Sequence, residues 1–101
     1  MGKKQIDETY FKKQGLELVT WELLDDLNKT RIDLNASENQ PIKHCWQQAV
    51  YNGKLRQVES LLDICETKPY ISNYKLNQLF RRYKKITGIS LKDKRKQMMR
   101  A

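Results

Sequence analysis

Residues 72–88, SNYKLNQLFRRYKKITG, separate into two faces when wound as a helix. Leu76, Leu79, Phe80, Tyr83 and Ile86 recur at spacings of three and four, which marks a buried stripe. Tyr74, Gln78, Arg81 and Lys85 follow one another along the opposite ridge, with Asn77, Arg82 and Lys84 on its shoulders. Ser72 is a residue type that caps a helix N-terminus, and Gly88 one that ends a helix. The stretch predicts a single amphipathic helix whose outer ridge is cationic.

Beyond Gly88 the chain continues as ISLKDKRKQMMRA, adding Lys92, Lys94, Arg95, Lys96 and Arg100 against one acid, Asp93. Ser90 followed three residues later by Asp93 has the form of a capping box, so a last helix is expected from Leu91 to about Met99. From residue 70 to the end there are ten basic residues and one acidic; residues 1–69 hold ten basic and eleven acidic. The formal charge of +8 therefore resides in the C-terminal third, and a pI near 9.6 gathered at one end is the electrostatic signature of a nucleic-acid binder.

A chain of 101 residues with 39% hydrophobic content is expected to be one domain, 1–101, with a modest core. Two Trp, five Tyr and regularly spaced Leu argue for a folded body despite a mean hydropathy of −0.83. No apolar run approaches the roughly 20 residues needed to cross a bilayer, and no apolar stretch follows the basic Met1–Lys4 as a signal peptide requires. A cytoplasmic location is expected. An anionic membrane surface is the competing partner for the basic end. It is disfavoured because the apolar positions after Gly88 are only Ile89, Leu91, Met98 and Met99, too few for an interfacial helix. Cys45 and Cys65 are too few for a disulfide framework, and each reads as a small buried hydrophobe.

Toward the N-terminus, Met1–Gln5 is expected to fray, and Ile6–Lys13 to form a short helix ended by Gly15. Leu16, Val19, Leu23, Leu24 and Leu27 mark one face of a second helix, which Leu18 and Trp21 broaden. A helix apolar over more than one stripe is either central to the fold or has a partner on each side, which leaves a homodimer through Leu16–Leu27 open. Thr30–Pro41, TRIDLNASENQP, lacks a helical period and reads as the longest loop, with Ser37 and Gln40 as a capping box and Pro41 in a first helical turn. Ile42, Cys45, Trp46, Ala49 and Val50 then share a face expected to turn inward up to a stop at Gly53. Leu55, Val58, Leu61, Leu62 and Cys65 line the next helix, which Pro69 closes. With only Asn52-Gly53 between them, these two helices are expected to be antiparallel neighbours. The fold class is thus all-α, a bundle of five or six short helices whose core comes from Leu16–Leu27, Ile42–Tyr51 and Lys54–Cys65.

No catalytic site, metal site or cofactor is expected. His44 is the only histidine, and it stands about 100° around a helix from Cys45, so the pair does not face each other as nucleophile and base. The acids Asp25 and Asp26 lie where the Leu16–Leu27 helix is expected to meet solvent, and the four glycines stand singly rather than in a phosphate loop.

What remains is binding. Lys75, Lys84, Lys85, Lys92, Lys94, Lys96 and Arg100 suit sequence-blind phosphate neutralisation. Asn77, Gln78 and Arg81 are the forked or two-headed side chains that read adenine and guanine edges. The candidate nucleic-acid-binding set is therefore Tyr74, Lys75, Asn77, Gln78, Arg81, Arg82, Lys84, Lys85, Lys92, Lys94, Arg95, Lys96 and Arg100. DNA in a regulatory or accessory role is favoured over RNA. The RNA alternative rests on Tyr70, Tyr74 and Tyr83 stacking on unpaired bases. A further alternative is a protein-interaction module that docks its basic face on an acidic partner.

Two resemblances accompany these readings. AVYNGKLRQVESLL (49–62) resembles the inner part of an ankyrin repeat, with no second copy at the ankyrin period, and implies a helical hairpin. Ser72, Leu76, Phe80, Arg81, Arg82, Thr87, Gly88 and Ser90 match the pattern S-x-x-x-L-x-x-x-F-K-K followed by T-G-x-S, and so resemble a helix-turn-helix half of the AraC-type transcription activators. Here Tyr83–Ile86 lengthen the segment before Thr87-Gly88 by about one turn. The resemblance implies that Ser72–Gly88 enters a DNA groove.

Overall fold

The computed structural model describes residues 8–67 and 71–100, and the side-chain surroundings of 15–67 and 71–99. Those residues form helices and connections with no strand, in the order α1 (Glu8–Ala36), α2 (Pro41–Thr67), α3 (Asn73–Thr87) and α4 (Leu91–Arg100). The expected class is all-α and so is the fold, but four helices stand where five or six short ones were expected. The expectations for Met1–Gln5, Pro69 and Tyr70 fall outside the described residues.

The difference in count comes from two breaks that do not occur and a loop that is mostly helix. α1 runs for 29 residues straight through Gly15 and on to Ala36. The apparent loss of period after Thr30 is a matter of residue type. Thr20, Thr30 and Ser37 occupy the buried stripe alongside Leu24, Leu27 and Leu34. Each hydroxyl donates to its own helix: Thr20 Oγ1 to Leu16 O at 2.7 Å, Thr30 Oγ1 to Asp26 O at 2.9 Å, Ser37 Oγ to Leu34 O at 2.8 Å. A buried hydroxyl so bonded carries little desolvation cost, so a polar letter can hold an apolar position. The expected Ser37–Gln40 capping box is not formed, because Ser37 closes α1 instead; the Gln40 carbonyl accepts from His44 N–H at 2.7 Å, and Pro41 opens α2 as expected.

α2 runs for 27 residues through Asn52 and Gly53. The expected stop and the ankyrin-like hairpin at 49–62 are therefore absent. Gly53 has ordinary helical backbone and nothing lies within 4 Å of where a Cβ would stand. The hairpin of the fold is α1 against α2, antiparallel, turned at residues 37–40. Its rungs are Leu34–His44, Asp26–Lys54 and Thr20–Cys65. α3 lies against this hairpin parallel to α1, as the pairs Glu17–Lys75, Asp25–Arg82 and Arg31–Ile86 O show. The core gathers where the elements meet: Leu24 and Leu27 of α1, Val58, Leu62 and Cys65 of α2, Ile71, Leu79, Tyr83 and Ile86 of α3 and its approach, and Leu91 of α4.

The N-terminal half of α2 contributes almost nothing to that core. Ile42, Cys45, Trp46 and Ala49, expected to turn inward, are exposed, and only Val50 is half-buried. Without a turn at Gly53, one helical phase runs the length of α2, and the phase set by Val58, Leu62 and Cys65 turns Ile42 and Ala49 to the opposite side. Cys45 is correspondingly exposed while Cys65 is buried as expected, its thiol pushed up by burial.

Candidate nucleic-acid interface

α3 has the limits that its capping residues predict. Lys75 N–H donates to Ser72 Oγ at 3.3 Å, and Gly88, at φ 85°, donates its N–H to Lys84 O at 2.7 Å. A left-handed residue at that position favours glycine. Thr87 Oγ1 lies 2.9 Å from both Tyr83 O and Ile89 O, and Arg31 of α1 donates to Ile86 O, so the last turn of α3 is tied down on two sides. After a three-residue turn, Asp93 N–H reaches Ser90 Oγ at 3.1 Å and opens α4.

The buried side of α3 is the expected one, with Leu79, Tyr83 and Ile86 enclosed and Leu76 and Phe80 half-buried. Tyr83 donates its hydroxyl to Glu59 at 2.7 Å. Burial pushes that hydroxyl well above its ordinary value of 10.0, and the bond to the Glu59 carboxylate pushes it further.

The basic residues fall into two groups. One faces the hairpin and is matched there by acids. Lys75 pairs with Glu17 at 3.3 Å and Arg82 with Asp25 at 3.7 Å. Lys94 joins Tyr83 on Glu59, and Arg95 bridges Asp63 and, at 2.9 Å, Glu66. Burial alone would lower the Arg95 guanidinium; Glu66 and Asp63 outweigh it and hold it above its ordinary value. These cations neutralise the hairpin's own carboxylates, so the lopsided charge of the chain is partly cancelled by folding. Asp25 and Asp26, expected at a solvent face, are both engaged, Asp26 by Lys54 at 2.6 Å.

The other group faces outward. Tyr74, Asn77, Arg81, Lys84 and Lys85 are exposed and Gln78 is half-buried. At 3.6 residues per turn all of them lie within about 60° of Arg81 around the axis, over roughly 16 Å of helix. Lys92 and Lys96 are exposed on α4. Among the described residues none of these side chains has an acidic partner. Arg100 has its backbone at the end of α4, and its side chain lies outside the described set.

Of the residues expected to bind, then, Tyr74, Asn77, Gln78, Arg81, Lys84 and Lys85 come together on one ridge with Lys92 and Lys96 on the next helix. Lys75, Arg82, Lys94 and Arg95 are turned to the hairpin. Of the aromatics invoked for RNA, Tyr74 is exposed and Tyr83 is fully buried, while Tyr70 lies outside the described residues. The acids that take up Lys94 and Arg95 escaped sequence reasoning, although Glu59, Asp63 and Glu66 recur at i, i+4 and i+7 beside the apolar stripe of α2, a legible acidic flank.

Among the described residues no group of three His, Cys, Asp or Glu side chains could hold a metal ion, and no helix is long and apolar enough to cross a membrane. Comparison with protein-family models, with curated proteins and with solved structures finds no match.

Proposed function

We propose that this chain binds duplex DNA in a regulatory or accessory role, through the outer ridge of α3, with Lys92 and Lys96 of α4 contacting phosphates. The observation that carries the proposal is the sorting of charge. The hairpin's acids take up the inward cations and leave Arg81, Lys84 and Lys85 exposed on the same ridge as Asn77 and Gln78. A major groove about 12 Å wide admits one helix, and Arg, Asn and Gln at its front are the side chains that discriminate base pairs there. Lysines on the flank release counterions whatever the sequence. A single-strand binder needs several stacking aromatics. Of the two aromatics invoked for stacking among the described residues, Tyr74 is exposed and Tyr83 is buried, and duplex is favoured on the forked side chains of the ridge.

Fluorescence anisotropy with duplexes selected from a random pool, against random duplex and single strands, tests the proposal. Arg81→Ala is expected to cost about 1–3 kcal/mol on the selected sequence and less on random duplex, while Lys85→Ala weakens both alike. Equal losses from both substitutions on both duplexes would remove base reading, and a preference for single strands would remove the duplex.

A further inference from the structure

The two C-terminal helices are held on the hairpin by different forces. α3 buries Leu79, Tyr83 and Ile86 in the core. α4 buries one apolar residue, Leu91, in its first turn, while Met98 and Met99 are 66% and 86% exposed. What fixes the rest of α4 is charge. Lys94 pairs with Glu59, and Arg95 with Asp63 and, at 2.9 Å, with Glu66. The three acids stand at i, i+4 and i+7 and so form one strip of α2, and all three pairs run from it to two consecutive residues of α4. Where α4 meets α2 and α3 there is an open dip lined by Glu66, Phe80, Leu91 and Arg95 rather than a packed seam.

α4 has little to keep its own shape once those pairs open. At ten residues it is shorter than the roughly 12–15 at which an isolated helix becomes marginal in water. Lys92 and Lys96 are like charges one turn apart, and Asp93 is the only acid in the helix. The pairs to Arg95 are also open to solvent, the Asp63 side chain being 59% exposed and that of Glu66 44%. Salt therefore reaches them, and the screening length falls from about 10 Å at 0.1 M to about 3 Å at 1 M.

We propose that α4 is a latch closed by charge: the strip Glu59, Asp63 and Glu66 holds α4 shut about Leu91 and withholds Lys94 and Arg95 from external anions. Screening, or loss of the strip, opens it while α3 stays docked on its apolar side. The latch stands on the ion pairs and not on what α3 binds; only its consequence for duplex affinity rests on the function proposed above.

Hydrogen exchange of the full chain, read by mass spectrometry at about 0.05 M and about 1 M NaCl, is the test. Amides of residues 95–99 are expected to lose protection at least about fivefold at the higher salt, and those of 79–86 less than about twofold. Asp63→Asn with Glu66→Gln is expected to bring the high-salt behaviour to low salt. Arg95→Gln removes the same pairs from the other side and is run beside it in case the double variant loses helicity. Glu22→Gln with Glu38→Gln makes the same change in charge at exposed acids that have no cationic partner among the described residues, and is expected to leave α4 protected. Protection of α4 that does not depend on salt, or α3 loosening in step with α4, would overturn the proposal. On random duplex, the strip variant should bind at least about threefold more tightly than the Glu22, Glu38 control, with a salt slope steeper by about one to two as Arg95 and Lys94 are released. Equal affinities would overturn the withholding of the two cations. Absence of binding by every chain would remove the duplex reading and leave the exchange result to decide the latch.

Discussion

The same substitution, glycine to alanine, is expected to have opposite effects at residues 53 and 88. Gly53 lies within α2 with ordinary helical backbone, and a Cβ there meets nothing within 4 Å. Alanine gains about 1 kcal/mol over glycine in a helix interior. Gly88 ends α3 at φ 85°. There alanine meets the clash that disfavours left-handed backbone, about 1–2 kcal/mol. At about 2.1 cal/mol/K per residue, a chain of 101 residues has an unfolding entropy near 0.2 kcal/mol/K, so 1 kcal/mol moves Tm by about 5 °C. Gly53→Ala should therefore melt about 5 °C higher than the parent and Gly88→Ala about 5–10 °C lower, by circular dichroism at a matched, low micromolar concentration. A fall in Tm for Gly53→Ala would mean that the chain turns at Asn52-Gly53 after all, and that the long α2 on which the core register depends is wrong.

Removing an inward cation should harm the fold more than binding. Lys94→Ala leaves Glu59, whose side chain is 21% exposed, with Tyr83 as its remaining partner; an expected loss of about 1–2 kcal/mol in urea unfolding should exceed any change in affinity for random duplex. The reverse is expected of Lys84→Ala, which has no acidic partner among the described residues. Tyr83 governs the alkaline limit. Its folded hydroxyl sits above the value of 10.0 that it has in the unfolded chain, so the unfolded state releases its proton first. Stability is thus flat below about pH 10 from this group and falls as pH rises beyond it. Tyr51 and Cys65, both raised by burial, pull the same way. Tyr83→Phe should lower stability at neutral pH by about 1–3 kcal/mol and flatten the decline above pH 10, as followed by urea unfolding at stepped pH.

How much of this was legible depends on where burial is carried by apolar letters. α3 reads directly because every inward position is Leu, Phe, Tyr or Ile and both caps are of the expected type. α1 does not, because Thr30 and Ser37 take buried positions that hydrophobic periodicity counts as loop, their hydroxyls satisfied by Asp26 O and Leu34 O. Gly53 reads as the end of a helix because glycine is a good helix terminator. It is also tolerated inside a helix when both flanks are held, as Leu55 and Val58 hold one here. Ile42, Cys45 and Trp46 carry a clean helical period, yet periodicity shows only that a face is apolar, not that this chain covers it. The outward ridge of the candidate site was legible from spacing alone. The division of cations between hairpin and solvent was not, since it depends on the register of α3 along α1 and of α4 along α2.

The salt dependence of duplex binding tests the central claim most directly. Arg81, Lys84, Lys85, Lys92 and Lys96 are the described C-terminal cations left without acidic partners. At about 0.9 counterion per phosphate contact, a plot of log affinity against log salt should be linear with a slope of about −4 to −5. A slope near zero, or no binding at low salt, would contradict the proposed interface. A slope of about −8 or steeper would require phosphate contacts well beyond these five cations, and so contradict an interface confined to the outer ridge of α3 and to Lys92 and Lys96.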